Sequence, residues 1–158
     1  MAIRKIFKIN DEFELAVLRK KSKPVETYDE KLSILIEDMK DTLKKADGAG
    51  LSAVQVGVLK RLFIIIDENG DYVEFINPVI IESSGENPTL EEGCLSVPGR
   101  YGKVKRPNKV KVMAFTKEGK QFTREFNGFF AKAICHESDH LDGILYNDRE
   151  IKKDKKKK

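Results

Sequence analysis

The chain has 158 residues, 40% of them apolar and 35% charged, and a net charge of +4. That length suits one domain with a sizeable core, and no apolar run approaches the roughly 18 residues of a membrane span. The start, Met1-Ala2-Ile3-Arg4-Lys5-Ile6-Phe7, lacks the long apolar stretch of a secretion signal, and two distant cysteines make no disulfide framework, so a cytoplasmic protein is expected.

Along the chain, Thr27 followed by Glu30 predicts a capping box. Leu32, Leu35, Ile36, Met39, Leu43 and Ala46 then recur at helical spacing, so a helix should run to about Ala46 and end at Gly48 and Gly50. Gly48-Ala49-Gly50 has the composition of a nucleotide-binding turn, but such a turn follows a strand and opens a helix. Here a helix precedes it, which favours a simple helix stop and loop. Residues 61–66 are expected to form a buried strand and residues 72–76 its partner, turning at Glu68-Asn69-Gly70-Asp71. A further short strand is expected over residues 79–82. Val110, Val112 and Ala114 alternate, and Lys117-Glu118-Gly119-Lys120 turns the chain into residues 121–126, a hairpin.

Phe129, Phe130, Ala133, Ile134 and Leu141 mark a last helix, with Asn127 placed to cap it and Gly143 to stop it. Helices separated from runs of strands favour α+β over a parallel α/β sheet. One domain is expected over residues 1–150. Residues 151–158 then form a flexible lysine-rich tail, whose six lysines and one aspartate carry more positive charge than the chain's net total. The remaining body is close to neutral.

The last helix carries the chemistry. The only two histidines lie in Cys135-His136-Glu137-Ser138-Asp139-His140, four apart and so on one helix face, where two imidazoles can reach one metal ion. Glu137 falls on the neighbouring flank, able to contact a metal-bound water without ligating; this is the H-E-x-x-H pattern of metal-dependent hydrolases. A third protein ligand, thiolate or carboxylate, is expected. Cys135 points about 100° away around the helix axis and is a poor candidate. Cys94, in Glu91-Glu92-Gly93-Cys94-Leu95-Ser96 between Pro88 and Pro98, is open to two assignments: a ligand, or the small buried hydrophobe that free cysteine commonly is. Asp139 is not needed as a ligand and is expected to play a supporting role.

These motifs bring a known family into view. Glu92-Gly93-Cys94-Leu95-Ser96 and His136-Glu137-Ser138-Asp139-His140 resemble the second and third signatures of the bacterial peptide deformylases. Gly48-Ala49-Gly50-Leu51-Ser52-Ala53-Val54-Gln55 resembles the first, with Ser52 where alanine is usual, an exchange expected to disturb packing little. The three motifs occur in the family's order, and the resemblance extends to about Asp148.

The resemblance implies antiparallel sheets packed around a central C-terminal helix that carries the H-E-x-x-H motif. It implies Cys94, His136 and His140 as ligands of one divalent metal, ferrous iron in cells, with zinc, nickel or cobalt as substitutes. A metal-bound water would attack the formyl group of an N-terminal N-formylmethionine, with Glu137 as general base and then acid, releasing formate. Gln55 and the Leu95 N–H would stabilise the oxyanion. Ala49, Gly50 and Gly93 would bind the peptide as an added strand, and Leu90, Phe129 and Ala133, near the His136 ring, would receive the methionine side chain. Lys132 stands where some relatives carry an apolar residue; its stem can line the pocket while its amine reaches water. Arg100 and Tyr101, just past the Cys94 segment, are placed to contact the peptide or simply to pack at the surface, and surface packing is the favoured expectation.

The implied partners are nascent formylated peptides, without a membrane or a sequence-specific nucleic acid. The lysine tail adds an expected attraction to ribosomal RNA, because lysine neutralises phosphate without reading sequence. A general metallopeptidase would share the histidines and Glu137. A structural metal site in an RNA-binding module would need four protein ligands, and no fourth histidine or cysteine is suitably placed.

Overall fold

The computed structural model describes residues 2–151; the lysine run at 152–158 lies outside the described residues. In chain order the elements are α1 (Glu12–Leu18), α2 (Glu30–Ala46), β1 (Gly50–Ser52), β2 (Leu62–Ile66), β3 (Tyr72–Ser84), β4 (Glu91–Cys94), β5 (Val97–Lys103), β6 (Lys109–Phe115), β7 (Gln121–Asn127) and α3 (Gly128–Leu141). Single 3₁₀ turns cover Ala53–Val56 and Tyr146–Asp148.

α2 begins at Glu30, two residues later than a cap at Thr27 would start it. Asp29, not Thr27, caps it, its carboxylate accepting from the Leu32 N–H at 3.0 Å. A carboxylate there satisfies an orphan N–H and complements the helix dipole. The helix ends at Asp47 rather than at a glycine: Asp47 takes a left-handed conformation (φ 58°) and donates back to Leu43 and Lys44. A short polar side chain tolerates that region better than most.

The main sheet has the order β1-β2-β3-β6-β7, antiparallel throughout, and β4 with β5 makes a separate two-stranded ribbon. β2 explains why its sequence reads as an unbroken apolar run. Leu62 and Ile64 pack with Leu32, Ile36, Met39 and Leu43 of α2, while Phe63 and Ile65 pack with Phe75, Val112, Ala131 and Ile134 on the α3 side. Both faces of the strand are buried, at about 1.5–3 kcal/mol for each large side chain. The segments expected at 72–76 and 79–82 are one strand, β3, whose pairing with β6 slips between Ile76 and Val79. Asn77 (φ 50°) makes that bulge, its amide accepting from the Val25 N–H at 2.8 Å and donating to the Val25 carbonyl at 2.9 Å. The hairpin of β6 and β7 forms as its alternation predicts.

α3 is enclosed by the main sheet on one side and the β4–β5 ribbon on another, which is the expected architecture. Asn127 occupies its N-cap position but makes no capping bond with its side chain. At the other end Arg61 donates to the Leu141 carbonyl at 3.0 Å. Gly143 (φ 75°) then turns the chain so close to Arg19 that an added Cβ would lie 2.3 Å from the Arg19 carbonyl oxygen. No helix of the described residues is long and apolar enough to cross a membrane.

Candidate metal centre

His136 and His140 lie on one face of α3 with ring centroids 4.9 Å apart. Cys94 comes from the ribbon, at the end of β4, where the pairing with β5 slips between Gly93 and Cys94. Such a slip re-aims a side chain, and here the sulfur comes 3.3 Å from His140 Nε2. One donor atom from each of the three residues lies within 4.8 Å of the others. Tetrahedral metal–sulfur and metal–nitrogen bonds place their donors about 3.5 Å apart, and one thiolate with two imidazoles is a donor set for a divalent transition metal. The geometry fits such an ion.

Buried groups hold the ligands in place. Glu92 Oε1 accepts from His136 Nδ1 at 2.7 Å, so the Nε2 lone pair of that ring is the one left for a metal. Arg106 clasps Glu92 through Nε at 3.0 Å and Nη2 at 2.8 Å, and donates to Asp139 at 2.8 Å. Asp139 also accepts from Arg149 Nε at 2.6 Å, which supplies the supporting role expected of it. Burial would raise the Glu92 pKa, but hydrogen bonds from His136 and Arg106, and their charges, bring it down to about 2. His140 Nδ1 is buried without a protein partner among the described residues. Burial opposes charge on both rings. Cys94, Glu92 and Glu137 outweigh it at His136 and raise that pKa, whereas burial and the neighbouring His136 charge depress His140. Cys135, pushed up to about 11 by burial, stays a protonated packing residue.

Glu137 is buried beside the ligands. Burial raises its pKa, against the His136 charge and a hydrogen bond from Ser52. Ser52 Oγ lies 2.8 Å from Glu137 Oε1 and 3.1 Å from its main-chain oxygen. On the other side Gly50 is bare: a Cβ there would lie 2.8 Å from Oε2. The Gln55 carbonyl oxygen accepts from the Ser52 N–H at 2.9 Å, which turns its amide nitrogen towards Ser96 Oγ at 3.0 Å and Cys94 Sγ at 3.6 Å.

These groups open into a cavity of about 570 Å³. Ala49 and Gly50 form one wall and Gly93, Cys94 and Leu95 another, with Phe129, Ala133, His136 and Glu137 along α3. Leu90 is not among the lining residues; Glu91 and Lys132 are. Gly93 faces Tyr101 across the ribbon, where a Cβ would lie 2.6 Å from the ring. Tyr101 and Phe129 are both well exposed, and with Arg100 they also line the cavity.

The sequence reasoning assigned no role to the Ser52 hydroxyl, Glu92, Ser96, Arg106 or Arg149. Glu92 sits inside a recognised motif and was the most accessible of these. Arg106 lies in a connection without periodicity, and only the fold brings it under α3.

Comparison with known proteins points one way. Residues 3–157 match the family model described as polypeptide deformylase. The chain is 50% identical over 149 residues to "Peptide deformylase 1" of Clostridium acetobutylicum, covering 94% of this chain and 95% of that one. Among solved structures it is similar to a peptide deformylase from Legionella pneumophila (47% identity, TM-score 0.86, 94% of this chain and 86% of that one). It is also similar to one from Thermotoga maritima (38% identity, TM-score 0.89, 96% of this chain and 100% of that one).

Proposed function

The chain belongs to the polypeptide deformylase family of metallohydrolases, and from that membership we propose how its own residues remove the N-formyl group from nascent peptides. Cys94, His136 and His140 hold one divalent ion, ferrous iron in cells, with zinc, nickel or cobalt able to substitute. When bound, the ion supplies Lewis acidity, making water a nucleophile near neutral pH and polarising the formyl carbonyl.

Glu137 accepts the proton of the attacking water. Ser52 occupies Oε1, so Oε2, the oxygen against bare Gly50, is the one available for that proton. As the C–N bond breaks, Glu137 returns the proton to the leaving amine, and formate and a free methionine terminus result. Negative charge on the formyl oxygen is met by the Gln55 amide and the Leu95 N–H, which donate without titrating. The peptide lies as an added strand along Ala49-Gly50 and Gly93, with the methionine side chain against Phe129 and Ala133. Leu90, which the resemblance also assigned to the pocket, is not among the residues that line the cavity.

The observation that carries this mechanism is the meeting of the Cys94 sulfur with both histidines beside a buried Glu137. Formate release from a formyl-methionyl tripeptide by ferrous-loaded, anaerobically purified protein tests it. Glu137→Gln is predicted to keep its metal and lose about 10²–10⁴-fold in kcat; full activity in that variant would overturn the general-base assignment. An acetyl-methionyl peptide should resist, because its extra methyl is expected to clash where the small formyl group would bind. Cleavage of internal peptide bonds would instead mark a general metallopeptidase. We place the reaction in the cytoplasm, with ribosome contact through residues 152–158; their deletion should abolish a salt-sensitive association with ribosomes.

A further inference from the structure

We propose that Lys132 makes the side-chain pocket of this chain a hydrogen-bond donor site, so that it also accepts formylated peptides beginning with methionine sulfoxide. The inference rests on the deformylase mechanism above and concerns which first side chain that site takes.

Phe129 and Ala133 of α3 line the cavity together with Lys132; Glu91 and Glu92 line it too, and the Glu92 carboxylate is already held by Arg106 and His136. Lys132 itself is only 4% exposed although it lines the cavity. Its Nζ donates to the Glu91 carbonyl at 2.6 Å, and among the described residues no carboxylate forms an ion pair with it. An ammonium has three donors and even a neutral amine two, so at least one remains for a ligand. Burial lowers the Lys132 pKa, and the donor survives either protonation state.

Position favours the same ligand. Lys132 is four residues before His136, on the same face of α3 and about 6 Å along its axis. A side chain directed from the His136 ring towards the preceding turn of α3 would approach Lys132. An unbranched stem ending in a neutral acceptor would suit the Phe129 and Ala133 side chains followed by the Lys132 donor. Methionine oxidation generates such a group from the ordinary substrate, replacing a weakly accepting sulfur by a polar S=O. In a purely apolar pocket that oxygen would be desolvated without a partner; Lys132 supplies one. The hydrolysis is unchanged: water adds to the formyl carbon, the C–N bond breaks and the sulfoxide is a spectator.

The test compares kcat/KM for formyl-methionyl and formyl-methionyl-sulfoxide tripeptides, using ferrous-loaded protein and its Lys132→Met and Lys132→Gln variants. The native protein is expected to cleave the sulfoxide within about tenfold of the thioether. Lys132→Met, which keeps the stem and removes the donor, should lower the sulfoxide-to-thioether ratio by about tenfold or more, mainly through KM. Lys132→Gln, which retains a donor, should keep much of the ratio. A ratio unchanged in Lys132→Met would overturn the proposal, because a residue that only ties α3 to Glu91 affects both peptides alike. Native protein that cleaves the thioether and spares the sulfoxide would overturn it as well, whether or not a variant folds. Formate from neither peptide would contradict the catalytic mechanism itself, and the sulfoxide inference with it.

Discussion

Ser52 exchanges one small residue for another, yet its hydroxyl is fully buried and lies 2.8 Å from the carboxylate proposed to move the proton. Its hydrogen bond occupies one oxygen of that carboxylate. Ser52→Ala should lower kcat by about two- to tenfold with KM little changed, the worth of one hydrogen bond of about 0.5–1.5 kcal/mol. Steady-state kinetics on a formyl-methionyl peptide checks this. Glu92 acts at the same scale through the ligands. Its folded pKa of about 2 lies below the ordinary 4.5. Its contribution to stability is therefore complete above pH 4.5 and is lost as pH falls through 2. Glu92→Gln should remove about 3 kcal/mol at neutral pH, since it strips a buried partner from Arg106 and His136. It should also flatten the acid limb of the stability curve. Urea unfolding across that pH range measures both effects.

Among the elements, α2, the β6–β7 hairpin and α3 were legible because each buries a face with a regular period, and β2 because it is a short unbroken apolar run. The ribbon was not. β5 carries Pro98, Gly99 and Gly102 within seven residues, and only Val97 and Gly102 of it are buried, so no alternation marks it as a strand. α1 has seven residues and was equally silent. β3 looked like two strands because Asn77 interrupts its pattern, and a bulge held by side-chain bonds to Val25 leaves no periodic trace. Gly143 follows the C-cap of α3, as its place in the sequence implies, and the structure adds the contact with Arg19. Gly143→Ala meets both a left-handed backbone and a carbonyl clash. It should destabilise the protein by about 2–4 kcal/mol, seen as a lowered Tm with the ligand residues themselves untouched.

For the whole molecule, the two-faced sheet places α2 and α3 on opposite sides, and the ribbon then closes over the exposed flank of α3. The site joins three regions distant in sequence: the Gly50–Gln55 segment, the Glu92–Ser96 segment and α3. The three motifs that named the family are thus the three walls of one cavity, which is why they were legible before any coordinates. Arg106, buried against Glu92 and Asp139, and the exposed Arg149 on Asp139 were not, because their role exists only once these segments meet. A metal that bridges Cys94 to the two histidines should also staple ribbon to helix, stabilising the fold by mass action.

The most direct test is metal K-edge X-ray absorption on protein loaded with one equivalent of zinc. One sulfur at about 2.3 Å and two imidazole nitrogens at about 2.0–2.1 Å are predicted, with the sulfur lost in Cys94→Ala. A first coordination shell without sulfur in the native protein would contradict the proposed centre.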